Sequence, residues 1–445
     1  MARVDNYTLL TKGPVGKVII RMAVPTIISM LVTSVYNLVD SYYVGQINTQ
    51  ATAAVGVAFP VMSVMQAVGF FFGQGTGTYI SRLLGAKHSS EASSIASTGF
   101  YSSILFGIVL GLLGLIFLEP LARVCGSTAT VLPYTKSYMG IILLGTPVVC
   151  ATMVLNNQMR FQGNAATAMY GLVVGAVLNV ALVPLFTFSC GLGITGTAIG
   201  TVVSQVAALA VLVYLSRHGE NIHMNIKEIA FSKTFFTELF KGGTPSMSRQ
   251  GLAALATMLL NLEAGGYGDA AIAGMSIVGR VSFVVFAVVI GIGQGFQPFC
   301  GFNYGAGLYG RVRQGYSCAV RYALTFLAVC CMLCFALAPQ VVDVMRHDAE
   351  VVRIGAEALR WQVLSWPLVP FVIIGNMALQ TSGWAISANV VAATRNGICF
   401  IPLILLLPMW MGLMGVEVCQ AVADVLSFLI AVPLTINYFK ALKKR

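Results

Sequence analysis

The sequence predicts an all-α integral membrane protein: twelve transmembrane helices in two six-helix lobes related by a parallel pseudo-two-fold repeat. Composition is the first reason. Charged residues fill only 9% of the 445 positions and hydrophobic ones 57%, against about 25% charged in a soluble domain. The second is spacing, because apolar stretches near the ~20 residues that cross a bilayer recur along the whole chain. The third is an internal repeat at an offset of 220 residues. Gly73-Gln74-Gly75 returns as Gly293-Gln294-Gly295, Pro25 falls on Pro245, Gly45 on Gly265, Gly85 on Gly305 and Ala86 on Ala306. A doubled membrane chain usually presents two bundles to a shared substrate path.

The apolar stretches lie near 16–43, 51–80, 93–118, 132–158, 165–188 and 193–216, then 241–264, 270–302, 314–338, 353–379, 386–408 and 411–438. They divide the chain into an N-terminal six-helix lobe (1–216), a cytoplasmic connecting segment (217–240) and a C-terminal six-helix lobe (241–445). Seventeen basic residues fall at the N-terminus, in alternate loops, in the connecting segment and in the tail, among them Arg3, Arg82, Lys227, Arg311 and Arg445. The other loops hold only Arg123, Arg346 and Arg353. The positive-inside rule therefore puts both termini and the connecting segment in the cytoplasm. The net charge of +11 is read as topology, because no nucleic-acid reader fold accompanies it. Each half has an even number of spans, so both copies start on the same side and the repeat is parallel. Its later part runs at an offset of 219, with Gly193 on Gly412.

Several local patterns carry no chemistry. Gly305-Ala306-Gly307-Leu308-Tyr309-Gly310 fits G-x-G-x-x-G, but a dinucleotide site needs a strand before it and an acid about 20 residues on; a tight cytoplasmic turn is expected. Cys331 and Cys334 sit in an apolar run and read as buried thiols. A disulfide between Cys125 and Cys190 is not expected, and Asn6-Tyr7-Thr8 sits on the cytoplasmic side, where a glycosylation sequon has no meaning. No cleavable leader is read at the N-terminus. No Walker loop, nucleophile–base pair or metal cluster is seen. These features argue against an enzyme, a cofactor and on-board ATP hydrolysis.

Asp40 is the sharpest residue. On a 3.6-residue period its helix face includes Thr26, Ser29, Thr33, Tyr36, Asn37 and Tyr43, a polar stripe on an apolar helix. A lipid-facing acid is costly, so this stripe faces protein or water, where Asp40 could exchange a proton. The bland alternative is a structural acid fixed by Asn37 or Tyr36. Where the first copy has Tyr36, Asn37 and Asp40, the second has Ala256, Thr257 and Leu260. Asp424 and Arg395 lie at similar depth and are read as an ion pair. Asn157, Gln158, Gln205, Gln294 and Glu417 are candidates for a substrate cavity; as single residues they read equally as helix–helix hydrogen bonds.

The runs VGFFFGQGTGTYISRLLGAK and GIGQGFQPFCGFNYGAGLYGRV, with AVPTIISMLVTSVYNLVDSYYVG, MRFQGN, GLGITGTAIGTVVSQ, GGTPSMSRQ and VCQAVADVLS, resemble the multidrug and toxic compound extrusion (MATE) family, most of all its bacterial MepA-like branch. The resemblance covers nearly the whole chain. It implies two six-helix lobes around a V-shaped cavity, and export of organic cations driven by inward flow of protons or sodium ions. Asp40 matches the helix 1 acid on which the N-lobe ion site is built, Asn179 the helix 5 asparagine and Thr201 the helix 6 threonine. Tyr36 fits a further residue of that site, and Pro25 matches the helix 1 proline at which a protonation-linked bend has been proposed. One departure matters. The family pattern L-N-x-x-L-D-P-x-F carries a second acid, and Val183 stands in its place before Pro184. One carboxylate suits a proton better than a sodium ion, so H+ is favoured over Na+. The helix 7 and helix 10 acids of another branch have no counterpart here, the helix 7 position falling near Ala253.

The expectation is thus a monomeric, multi-pass transporter of the cell membrane that exports small organic cations by proton or sodium antiport, with no metal or other cofactor, no nucleic-acid partner, and lipids around it. The rival is a lipid-linked oligosaccharide flippase, which would use Arg21, Arg249, Arg280, Arg360 and Arg395 to hold a pyrophosphate.

Overall fold

The computed structural model describes residues 5–218 and 221–444, except the side chains of Asn37 and Leu38. Arg3 and Arg445 of the basic count lie outside the described residues. The described residues are helical or in short turns, with no strand among them. The helices are α1 (Asn6–Lys12), α2 (Val15–Gly45), α3 (Thr49–Gly85), α4 (Ser89–Ile116), α5 (Leu118–Val124), α6 (Leu132–Leu144), α7 (Thr146–Phe161), α8 (Ala165–Pro184) and α9 (Gly193–His218). After a 3-10 turn at Ile226–Glu228 come α10 (Lys233–Gly265), α11 (Asp269–Gly305), α12 (Tyr309–Ala336), α13 (Ala338–Met345) and α14 (Ala349–Ser365). The chain ends with α15 (Val369–Thr381), α16 (Ala385–Ala393), α17 (Phe400–Met411) and α18 (Leu413–Lys443).

Ten helical stretches are long and apolar enough to cross a membrane, and the pair α6 and α7, bent by 48°, makes an eleventh if it is one span. The chain is a multi-pass membrane protein. The bend follows from sequence: Gly145 separates the two helices and Pro147 lies in the first turn of α7. The remaining expected span is α10. At 33 residues it measures about 50 Å, but Lys233, Glu238, Lys241 and the polar run 242–250 keep it out of the apolar set.

Local geometry recurs at the repeat offset. Lys87 (φ 64°) and Gly307 (φ 73°), 220 residues apart, both take the left-handed conformation. Both turns are closed by the same bonds: His88 N to Leu83 O at 2.9 Å, and Leu308 N to Asn303 O at 2.8 Å. The G-x-G-x-x-G run is thus a tight turn between α11 and α12. Gly163 (φ 90°) and Gly383 (φ 77°) form a second such pair. Asn156 Nδ2 donates to Ala168 O at 2.8 Å, and Asn376 Nδ2 to Ala388 O at 2.6 Å, again at the same offset.

The chain divides into two compact units, neither continuous in sequence. The first takes Met1–Leu10 and Ile28–Met247, and the second Thr11–Ile27 and Ser248–Arg445. Helix α2 therefore changes unit just after Pro25, and α10 just after Pro245. The repeated Gly-Gln-Gly runs explain how each unit holds its inserted helix end. Within the second unit, a Cβ on Gly295 would lie 2.5 Å from Ala23 Cα. Within the first, a Cβ on Gly75 would lie 2.6 Å from Leu239 O. Only a residue without a side chain permits this backbone-to-backbone approach. Glu238 of α10 is further fixed by Arg82 of α3 and by Lys241, whose Nζ lies 2.7 Å away.

Apart from these ends, the first unit has two buried clusters. One centres on Phe72, Ile80, Val154, Leu155 and Leu239; the other on Val44, Ala54, Met65, Tyr138 and Met139. The connecting segment packs on α4 through Asn225 N to Ser97 Oγ (3.0 Å) and Ala230 N to Thr98 Oγ1 (3.0 Å). The ten cysteines are all free.

Candidate functional site

The polar stripe of α2 sorts into two kinds of residue. Thr33 Oγ1 donates to Ser29 O at 2.8 Å and Thr26 Oγ1 to Met22 O at 2.9 Å. Those hydroxyls are satisfied by their own helix. Asp40 differs: its Oδ1 is buried and has no hydrogen-bond partner among the described residues. Tyr36, one turn earlier, lies within electrostatic reach of Asp40. The side chain of Asn37 lies outside the described residues.

A further residue joins this pair. Tyr138 of α6 is completely buried and lies within electrostatic reach of both Asp40 and Tyr36. Its hydroxyl points at Met62 Sδ, 3.9 Å away. Nothing in its own stretch, LPYTKSYMG, marks it out; only the folding of α6 onto α2 and α3 brings it to Asp40.

The other first-half candidates sit on the hairpin of α8 and α9. Asn179 Nδ2 donates to Thr201 Oγ1 at 3.3 Å, and Thr201 Oγ1 donates to Thr197 O at 3.0 Å. Thr197 also shares a hydroxyl–hydroxyl bond of 2.9 Å with Thr187. Both Asn179 and Thr201 are buried. Small residues set the spacing: a Cβ on Gly175 would lie 2.8 Å from Ala208 Cβ, and one on Gly200 3.0 Å from the Val183 backbone. Val183 is fully buried in that seam. After Pro184 the helix loosens into a π turn, Leu185–Ser189, a form frequent at functional sites. From it Phe188 meets Tyr43 of α2 edge-on, ring centroids 6.4 Å apart. The first unit thus holds two groups, Asp40 with Tyr36 and Tyr138, and Asn179 with Thr201, on helices joined by that aromatic contact.

The cavity candidates fare differently. Asn157 and Gln158 are buried between α3, α4 and α7. Asn157 Oδ1 accepts from Gln74 Nε2 (3.1 Å) and Arg160 Nη2 (2.6 Å). Gln158 Nε2 donates to Thr76 Oγ1 (3.0 Å) and Ala96 O (3.2 Å). These bonds hold three helices together, while Gln158 Oε1 is buried with no hydrogen-bond partner among the described residues. Gln205 is half-buried on α9, and Gln294 is buried between Gly293 and Gly295 of α11. Glu417 is buried on α18, within electrostatic reach of Glu357 and Arg353.

Asp424 is the ion-pair partner its depth suggested. Its Oδ1 accepts from Arg395 Nε at 2.8 Å and Gln420 Nε2 at 2.9 Å, and its Oδ2 from Ser365 Oγ at 3.1 Å. The Arg395 guanidinium also lies 4.4 Å from the centre of the Phe286 ring. Arg249 Nη1 donates to Asn376 Oδ1 at 3.1 Å. Among the described residues no three metal-ligating side chains converge.

Known proteins are similar along nearly the whole chain. The Staphylococcus aureus (strain MSSA476) multidrug export protein MepA is 28% identical over 422 residues, 94% of this chain and 93% of the relative. The same protein of Staphylococcus saprophyticus is 26% identical over the same shares. Among solved structures, an outward-facing multidrug resistance MATE transporter of the MOP superfamily superposes with a TM-score of 0.94, at 23% identity and full coverage of both chains. A Pyrococcus furiosus MOP superfamily transporter, described as having a binding pocket of reversed polarity, gives 0.93 at 22% identity, also with full coverage of both chains. The MatE family model matches twice, over residues 25–185 and 245–406, the two stretches starting at Pro25 and Pro245. The chain belongs to the MatE family, the multidrug and toxic compound extrusion transporters.

Proposed function

We propose that this protein exports small organic cations across the cell membrane in exchange for protons, with Asp40 as the proton-exchanging group. The carrying observation is the contrast between Asp40 and Asp424. Asp424 has a guanidinium and two further donors, whereas Asp40 Oδ1 is buried with no partner among the described residues. A carboxylate already neutralised by Arg395 gains little from a proton; one with a buried oxygen that no described donor reaches depends on its protonation state. Deprotonated Asp40 favours the state that binds the organic cation. Proton entry neutralises it, changes α2 between Pro25 and Tyr36, and favours release; Asn179 and Thr201 transmit the change to the α8–α9 hairpin. Val183 supplies no second carboxylate, which supports a proton over sodium.

Around this chemistry the reading sets twelve spans in two six-helix lobes, 1–216 and 241–445, related by a parallel repeat, with both termini in the cytoplasm and one chain as the working unit. The matched turns 220 residues apart and the doubled family match support it. The names of the staphylococcal relatives support drug export. Against a flippase, Arg395 and Arg249 already have partners within the protein. The test is efflux from proteoliposomes with an imposed pH gradient, using several cationic dyes. Asp40→Asn should abolish gradient-driven efflux while the protein stays folded; wild-type rates in that variant would refute the proposal.

A further inference from the structure

We propose that the groove between α12, α13 and α14 binds a zwitterionic aminophospholipid, its phosphate held by Arg360 and Arg353 and its ammonium by Glu357. The groove is a cavity of about 510 Å³, separate from the Asp40 group. Arg353, Glu357, Arg360, Trp361 and Leu364 line it from one face of α14, and Phe335 closes the opposite wall. Arg353, Glu357, Arg360 and Leu364 are exposed. So are Val329, Met332 and Leu333 on the adjoining face of α12, as on a surface that meets acyl chains.

Charges in such a surface are costly unless they find water or a counter-charge. Arg360 lies eleven residues into α14, about 16 Å along its axis; its Nε donates to Phe335 O at 3.5 Å and its guanidinium lies 5.9 Å from the Phe335 ring centre, rather than on a carboxylate. Among the described residues neither arginine is within ion-pair distance of Glu357, although all three share a helix face. The Cβ atoms of neighbours three and four apart stand about 5–6 Å from each other, so the long side chains they carry can reach the phosphate and the amine of one ethanolamine headgroup. A single molecule bearing both charges would supply a counter-charge to each of the three. The apolar wall of Trp361, Leu364 and Phe335 is suited to its glycerol and upper acyl chain.

Native mass spectrometry of the full-length protein, titrated with phosphatidylethanolamine, phosphatidylglycerol or phosphatidylcholine of matched chains, tests this. The wild type should prefer phosphatidylethanolamine. Glu357→Gln should abolish that preference, and Arg360→Gln should weaken both phosphatidylethanolamine and phosphatidylglycerol on the order of fivefold, as expected for one interfacial charge. Glycerol 3-phosphate should not displace the lipid. Equal retention of all three lipids by the wild type, an unchanged preference in Glu357→Gln, or displacement by glycerol 3-phosphate would overturn the proposal. All three charged side chains are exposed, so the variants should fold. Quenching by brominated phosphatidylethanolamine, compared between wild type and Trp361→Phe, gives an independent reading, with an identical quench in both counting against the site.

Discussion

Arg395 Nε donates to Asp424 Oδ1 across 2.8 Å, with Asp424 almost fully buried and Arg395 one-fifth exposed. That pair fixes α18 to the π turn at Thr394–Ile398, and it separates a structural acid from an exchangeable one. Truncating one member leaves the other charged group without its partner. Asp424→Ala should therefore lose about 3 kcal/mol of stability, read as a drop of several degrees in the thermal midpoint in detergent. Asp40→Asn should leave that midpoint near wild type, because no hydrogen bond to Oδ1 is broken. The opposite order would exchange the roles assigned to the two acids.

The glycines of α10 and α11 should divide sharply. A Cβ on Gly295 would meet Ala23 backbone at 2.5 Å, and backbone cannot rotate away. Gly295→Ala should cost about 1–3 kcal/mol as overpacking and displace the Pro25 end of α2. Gly251 has nothing within 4 Å of its added Cβ, and Gly251→Ala should be neutral or add about 0.5–1 kcal/mol from helix propensity. Thermal midpoints of the two single variants check both signs.

Glu238 links stability to pH. Burial alone would raise its carboxyl, but the Arg82 guanidinium and Lys241 more than offset this and hold it below the ordinary glutamate value of 4.5. A depressed folded-state value means stability that is present above the unfolded value and lost as pH falls through the folded one. The thermal midpoint should hold from neutral pH to about 5 and then decline. Glu238→Gln should lower the plateau and flatten that decline. A variant with the wild-type acid limb would remove Glu238 from the account.

Val183 addresses ion choice. It is fully buried beside Gly200, at the position where the family pattern carries an acid. Val183→Asp should give dye efflux that responds to an imposed sodium gradient, with the wild type responding to pH alone. Efflux indifferent to sodium in both proteins would separate this position from ion selection.

Much of this protein is legible along the chain because membranes impose a one-dimensional code. Segment length and apolarity locate the stretches, and eleven of the expected spans correspond to apolar helices or to the bent α6–α7 pair. The turns at Lys87 and Gly307 follow from a repeat visible in letters alone. The Arg395–Asp424 pair was legible too, since unlike charges at equal depth have few other partners in an apolar setting. The family resemblance held as well, and its Gly-Gln-Gly blocks lie where a Cβ on Gly75 or Gly295 would meet a neighbouring backbone. Asn157 and Gln158 show the limit. A buried amide bound to neighbouring helices and one lining a cavity have the same identity, depth and apolar surroundings in sequence.

By itself, then, the sequence determined the membrane class, the spacing of the helices, the doubled plan and the position of one intramembrane acid, because each depends on composition or periodicity along the chain. Tertiary structure alone decided the rest. It put Tyr138 within electrostatic reach of Asp40, engaged Asn157 with Gln74, joined Asn179 to Thr201, and left Glu357 without an ion pair between two arginines. It also gave residues 11–27 of α2 to the second unit and the first part of α10 to the first. These outcomes depend on which helix faces meet, and contact between side chains distant in sequence is fixed only when the backbones pack.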